Sequence, residues 1–257
     1  MSDPISLSGK TGIVTGIANE QSIAFGCARA LHQAGAELIL SYGHPKAEGH
    51  VRPLSEQLGD SPLILCDVRE HEQLEALFQA ASDRWGRLDF VIHSMAFAPR
   101  DDLQGRVVDS SLDGFLLAMD ISCHSFMRMA RLAEPLMTDG GCLITMSYQG
   151  AERVVENYGV MGPVKAALES SVRYMAEELG PAGIRVLALS PGPVETRASS
   201  GIRDFEKLLQ DAEERAPTRR LVTIEDIGQT ARFLVSDAAR SITGLTTYVD
   251  GGLNIKA

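Results

Sequence analysis

The chain has 257 residues, 44% hydrophobic and 23% charged, the balance of an ordinary folded globular protein. A formal net charge of −10 argues against nucleic-acid or anionic-membrane partners, and no apolar run reaches the length of a membrane span. Cys27, Cys66, Cys123 and Cys142 make neither a C-x-x-C pair nor a His-rich spacing, so no metal site is expected. The first ten residues lack the basic and apolar stretches of a secretion signal. A reduced, cytoplasmic protein with small buried thiols is expected.

Thr11–Thr15 reads as a short strand. Gly16 to Ala24 follows as a turn opening a helix that runs to about Gln33, with Ser22 as its expected cap. Gly35 ends the helix, and Glu37–Tyr42 is a second strand. This strand–turn–helix–strand unit is the first half of a dinucleotide fold, whose helix N-terminus offers free amides to a pyrophosphate. The G-x-G-x-x-G pattern is absent, so the turn alone is weak evidence for a nucleotide. Leu63–Asp67 is a third strand, ending in a carboxylate that either meets an adenine amino group or caps the next helix. Glu70 to Arg84 is helical. Asp89–Ser94 is the fourth strand, and Met95–Pro99 leaves its carboxyl end, where a cofactor would lie. Leu112 to Met137 reads as one long helix carrying Asp120-Ile-Ser-Cys-His124. A lone helical histidine such as His124 is more often structural than catalytic.

Cys142–Met146 is the fifth strand, and it delivers Tyr148 to the carboxyl edge where ligands bind in open α/β sheets. A helix is expected to carry Tyr158 and Lys165 on one face, roughly 10.5 Å apart along its axis, with the lysine leaning back toward the phenol. A nearby ammonium makes a phenol a better acid. Such a pair stabilises an oxyanion developing on a substrate carbonyl. Alone, a tyrosine and lysine at this spacing are weak evidence, because surface lysines are common. Ile184–Ser190 is the sixth strand, and Pro191-Gly-Pro-Val-Glu-Thr196 is a rigid turn beyond it. Residues from about 195 to 216 read as a substrate lid. Glu225 to Ser236 is a helix, and Leu245–Asp250 is a seventh strand closed by Gly251 and Gly252. Strands alternating with helices mean a parallel sheet covered on both faces. The expected architecture is α/β: a Rossmann-like, doubly wound sheet of seven parallel strands with helices on both faces, with residues 1–257 as a single dinucleotide-binding domain.

Taken together, these residues resemble a family. From Leu7 to about Ile255 the chain is similar to the short-chain dehydrogenase/reductases, and more narrowly to the bacterial NADH-dependent enoyl-acyl-carrier-protein reductases. The pieces that carry the resemblance include Gly16-Ile-Ala-Asn with Ser22-Ile-Ala, Cys66-Asp-Val, His93-Ser with Phe97-Ala-Pro, and Asp120-Ile-Ser. They continue with Ser147-Tyr-Gln-Gly-Ala-Glu-Arg, Asn157-Tyr with Val160-Met-Gly, Lys165, Gly192-Pro with Thr196, Ala198-Ser-Ser-Gly-Ile, Thr223-Ile-Glu-Asp and Asp250-Gly-Gly.

The resemblance implies a role for each matching position. Gly16, Ala18, Ser22 and Ile23 hold the pyrophosphate side, Asp67 and Val68 the adenine, and Ser94 and Met95 the ribose. Lys165 holds the nicotinamide ribose, and Val194 and Thr196 the carboxamide. Tyr148, Tyr158 and Lys165 are the implied catalytic residues, and Ala96, Phe97, Tyr148 and Tyr158 the implied substrate contacts. NADH is the implied cofactor. NADPH stays open, because Gly43 and His44 follow Tyr42 where an acid would repel a phosphate. The implied substrate is a trans-2-enoyl chain on acyl carrier protein, in fatty acid synthesis, and the implied assembly is a homotetramer. Arg203 and Lys207 match the family's carrier-docking bases and are expected on one helix face, with Glu206 departing from the pattern. Glu156 stands where the family has proline, and Pro163 falls between the tyrosine and the lysine. Two other readings stay open: a short-chain reductase of ketones or imines, and a nucleotide-binding sensor without catalysis.

Overall fold

The computed structural model describes residues 5–196 and 199–256. Arg197 and Ala198, at the start of the expected lid, lie outside the described residues. One sheet contains β1 (Thr11–Thr15), β2 (Glu37–Tyr42), β3 (Leu63–Leu65), β4 (Phe90–His93), β5 (Gly141–Met146), β6 (Ile184–Pro191) and β7 (Thr246–Val249). All pairings are parallel, in the order β3-β2-β1-β4-β5-β6-β7. The helices are α1 (Ile23–Gln33), α2 (Glu48–Glu56), α3 (His71–Trp85), α4 (Arg100–Gln104), α5 (Leu112–Met119), α6 (Ser125–Ala133), α7 (Met161–Leu179), α8 (Phe205–Arg215) and α9 (Ile224–Val235).

Successive side chains of a strand point to opposite faces, and here both faces are buried. Ile13, Ile39, Val91, Leu143 and Val186 join the core that contains Leu77 of α3, Phe126 of α6 and Leu168 of α7. Their neighbours Val14, Leu40, Ile92, Ile144 and Leu187 join a second core with Leu31 of α1, Val51 of α2 and Ile227 of α9. Double burial is why the strands read as unbroken apolar runs. All four cysteines are buried and free. No helix among the described residues is long and apolar enough to cross a membrane.

Four local expectations are corrected. Helix α2 has no counterpart in the sequence reading. Its Gly49 and Pro53 are poor helix formers, and burial of Val51 and Leu54 holds it in place. The stretch from Leu112 is not one regular helix, since α5 and α6 are joined by a π-turn at Asp120–His124. Helix α7 begins at Met161, so Tyr158 lies in the turn before it and not on it. Pro163 therefore falls in the first helical turn, where a missing amide costs nothing. Ser22 occupies the N-cap position of α1, yet its side chain does not cap.

Helices α1 and α9 meet through glycines. A Cβ on Gly26 would lie 2.4 Å from the Ile224 carbonyl oxygen, and one on Gly228 would lie 2.4 Å from the Gly26 oxygen. Gly26→Ala is expected to destabilise the fold by about 1–3 kcal/mol through overpacking, despite the better helix propensity of alanine. Urea unfolding checks this, and an unchanged or raised midpoint would contradict the close approach.

Candidate active site

The strand order reverses between β1 and β4, the place where an open α/β sheet leaves a crevice at its carboxyl edge. Gly16 leaves β1 with φ +90°, and a Cβ there would lie 2.1 Å from the Ser94 oxygen beyond β4. Only glycine permits both that backbone angle and that approach. A cleft of about 710 Å³ opens along this edge. Ile23, Ser94, Met95, Ala96, Phe97, Tyr148, Tyr158, Lys165, Val194 and Thr196 line it, so ten of the expected site residues converge.

The others stand at the ends of β1 and β3 without lining the cleft. Ser22 Oγ accepts from the amides of Ala18 and Asn19 at 3.3 Å each, which closes the turn after β1. It thus orders the loop and leaves the first amides of α1 to another acceptor. Asp67 does not cap α3. Its carboxylate takes Arg69 Nε at 3.0 Å and the Arg69 amide at 3.1 Å, and Arg69 holds it below the usual carboxylate range. Val68 points into the core. A glycine-only turn, uncapped helix amides and an ionised acid on the neighbouring edge together fit a dinucleotide. The described residues hold no cluster of His, Cys, Asp or Glu that would bind a metal.

Tyr148 and Tyr158 stand edge to face, with ring centroids 5.0 Å apart and planes at 61°. The Tyr158 ring lies against the backbone of Gly150, where a Cβ would be 2.6 Å from its Cδ1. Lys165 does not reach back to Tyr158 as expected. Lys165 is 3% exposed, and its ammonium donates to the Met146 carbonyl at 2.6 Å. Burial pulls the Lys165 pKa down to about 8, while Cys123 and Glu169 oppose that fall. Tyr158 is pushed up by burial and by Tyr148, and Tyr148 is pushed up to about 12 by burial. Both phenols are therefore neutral near pH 7, and Tyr158 is not the activated acid that the sequence suggested. His93 bridges Thr145 Oγ1 and Ser125 Oγ at 2.8 Å each, and burial with the Lys165 charge lowers its pKa to about 3.

The expected lid side closes the cleft with Ile202 and Phe205. Thr196 and Ser199 exchange hydrogen bonds, with Thr196 N donating to Ser199 Oγ at 2.8 Å and Ser199 N to Thr196 Oγ1 at 3.1 Å. Gln104 Nε2 donates to the Gly201 oxygen at 2.6 Å, and Asn157 Nδ2 to the Arg203 oxygen at 3.3 Å. Arg203 precedes α8, so it does not share a helix face with Lys207, although both are exposed. Glu156 is exposed, and His124 is a surface residue beside Asp120. Sequence reading missed Met146, Ser147, Leu103 and Met161 in the cleft wall, and Gly150 as the seat of Tyr158. The position of Met146 and Ser147 at the end of a strand was the available signal.

A parallel sheet in this order, with a glycine turn after β1 and with Tyr158 and Lys165 at the start of α7 lining the cleft beside the end of β5, defines a short-chain dehydrogenase/reductase. Residues 16–254 match the family model described as enoyl-(acyl carrier protein) reductase. The chain is 50% identical over 251 residues to the NADH-dependent enoyl-acyl-carrier-protein reductase of Bacillus cereus, covering 97% of this chain and 98% of that protein. It is 46% identical over 252 residues to the corresponding protein of Escherichia coli, covering 98% and 96%. A crystal structure of the Bacillus cereus enzyme with NADP+ and an indole naphthyridinone superposes with a TM-score of 0.95 at 49% identity, covering 98% of each chain. The Anaplasma phagocytophilum enzyme in complex with NAD gives 0.93 at 46% identity, covering 98% and 97%. The chain belongs to the enoyl-acyl-carrier-protein reductase family.

Lys165 is the group poised to titrate near neutrality. For the free enzyme, kcat/KM is expected to fall above about pH 8 as the ammonium is lost, with no inflection from the buried His93 between about pH 5 and 7. A flat profile through pH 9 would contradict a role for the Lys165 charge.

Proposed function

We infer that the protein is an NADH-dependent enoyl-acyl-carrier-protein reductase that saturates the 2,3 double bond of a trans-2-enoyl thioester in fatty acid synthesis. The observation that carries this is the pair of neutral tyrosines beside a buried lysine in the cleft of a chain from this family. NADH, when bound, supplies a hydride for the β-carbon. Tyr158 donates a hydrogen bond to the thioester carbonyl oxygen. That bond strengthens as negative charge moves onto the oxygen, so it stabilises the transition state more than the ground state. Lys165, pinned on Met146, adds a fixed positive charge and offers its remaining donors to the ribose hydroxyls. Tyr148 steadies the Tyr158 ring edge-on and walls the acyl side with Phe97, Ile202 and Phe205. The resulting enolate takes a proton from solvent at its α-carbon, and the saturated thioester leaves. Gly16, Ala18, Ser22 and Ile23 meet the pyrophosphate, Asp67 and Val68 the adenine, Ser94 and Met95 the ribose, and Val194 and Thr196 the carboxamide.

Oxidation of NADH with crotonyl thioester, and none with ketones or imines, separates this reading from another short-chain reductase. Tyr158→Phe is expected to lower kcat by about 100-fold or more, the usual loss of one oxyanion donor, with NADH affinity retained. Wild-type turnover in that variant would remove Tyr158 from the mechanism.

The reading includes a lid at about 195–216 within one domain of residues 1–257, a cytoplasmic location and a homotetramer. A groove of about 570 Å³ between α6 and α7, bordered by exposed Tyr174, supports self-association. Sedimentation equilibrium giving the monomer mass would contradict the tetramer. Acyl carrier protein docks at exposed Arg203 and Lys207, with Glu206 between them weakening the contact. Arg203→Glu with Lys207→Glu is expected to raise KM for carrier-borne substrate and spare coenzyme A thioesters, and salt should weaken only the carrier reaction. Equal effects on both substrates would argue against this site.

A further inference from the structure

Two side chains of α7, one helical turn apart, hold two successive residues at the end of β5. Lys165 takes the Met146 carbonyl at 2.6 Å, and Glu169 takes the next residue, accepting from Ser147 Oγ at 2.5 Å. Glu169 is 5% exposed, and the side chain of Thr246 on β7 lies near enough to favour its carboxylate. The Ser147 amide donates to the Leu189 oxygen of β6 at 2.6 Å. Ser147 is thus tied to β6 through its backbone and to α7 through its side chain. Tyr148 follows at once in an extended conformation, φ −158° and ψ 151°. No flexible residue separates the clamp from the ring.

The other ring is tied to the same helix from its N-terminal end. Tyr158 lies just ahead of α7, and the Met161 amide donates to its carbonyl at 3.0 Å. The placement of α7 against the end of β5 therefore sets the 5.0 Å separation of the two rings. A buried carboxyl group is costly to desolvate, and an apolar residue of similar volume would be no worse for the fold alone. The groups that interact with Glu169 are Ser147, Thr246, Lys165 one turn before it, Arg173 one turn after it, Glu152, and Tyr248 of β7.

We propose that Glu169 is a positioning residue for the reaction: its hydrogen bond to Ser147 locks α7 onto the end of β5 and holds Tyr148 edge-on to Tyr158. The proposal rests on the assignment of those two tyrosines to the active site. It predicts which substitutions are tolerated. Glu169→Gln keeps an acceptor for the Ser147 hydroxyl, whereas Glu169→Ala and Ser147→Ala each abolish the bond.

The test measures kcat with crotonyl thioester, NADH affinity by fluorescence titration, and thermal unfolding, on the full chain. Both alanine variants are expected to lose about 10-fold or more in kcat with NADH affinity unchanged, since small misplacements of reacting groups cost this much or more. Glu169→Gln should recover most of that loss. The double variant should be no worse than the worse single, because one bond is removed twice. A Glu169→Ala enzyme with lowered melting temperature and wild-type kcat would show a structural role only and overturn the proposal. So would a Gln variant as impaired as Ala, which would point to charge, or additive losses in the double variant. If Glu169→Ala does not fold, Ser147→Ala and Glu169→Gln carry the same decision. Tyr158→Phe is run alongside: retained turnover there defeats the site assignment, whereas loss there with normal Glu169→Ala defeats the clamp alone.

Discussion

An ammonium taken out of water must find acceptors, and in this protein Lys165 finds the carbonyl of Met146. That contact joins the first turns of α7 to the last residue of β5, at the edge where the cleft opens. Its effects extend to the neighbouring strand. The positive charge helps keep the buried His93 neutral, and the neutral ring bridges Thr145 of β5 and Ser125 of α6. β4, β5, α6 and α7 are interlocked by one polar seam inside an otherwise apolar core. Such a seam rigidifies when every member is satisfied.

The seam continues into the π-turn. Ser125 donates to the Ile121 oxygen at 2.7 Å, and Ser122 accepts from the Phe97 amide at 2.9 Å. A π-turn inserts one extra residue into a helix, and such insertions cluster at functional sites. Here it brings a serine hydroxyl to the loop leaving β4, which carries Ala96 and Phe97 into the cleft. One wall of the site is therefore set by strands and the π-turn. The other wall rests on side chains that grip backbone oxygens of the expected lid, Gln104 on Gly201 and Asn157 on Arg203.

Much of this was legible in the sequence, and the rest was not for identifiable reasons. Seven strands stood out because parallel strands buried on both faces read as apolar runs. Helix α2 did not, because Gly49 and Pro53 speak against a helix and only tertiary burial of Val51 and Leu54 overrides them. The start of α7 was misplaced because Tyr158 to Pro163 carries no strong capping residue. Tyr148, Tyr158 and Lys165 gained meaning only together with the rest of the family pattern. The direction of Lys165 was beyond local reasoning. A lysine stem spans either alternative, and the winning acceptor is a carbonyl nineteen residues away. Glu169 was invisible for the same reason, since Ser147 just beyond β5 and Thr246 of β7 are far from it in the chain.

The geometry also decides what kind of acid Tyr158 is in the proposed mechanism. A lysine directed at the phenol would pull its pKa down, and burial pushes it up. Here the ammonium donates to Met146 and not to the phenol, and burial together with Tyr148 wins. The phenol stays protonated in the cleft wall, available to donate to a substrate oxygen placed there. A donor of this sort contributes through preorganisation: its dipole is in place before charge develops and needs no rearrangement when it does. That demand explains the investment in rigidity around the ring, with Gly150 beneath it, Tyr148 at its edge and α7 anchored behind it. In the proposed mechanism the role of Lys165 is chiefly electrostatic and cofactor-directed, acting on the substrate oxygen through space and not through the tyrosine.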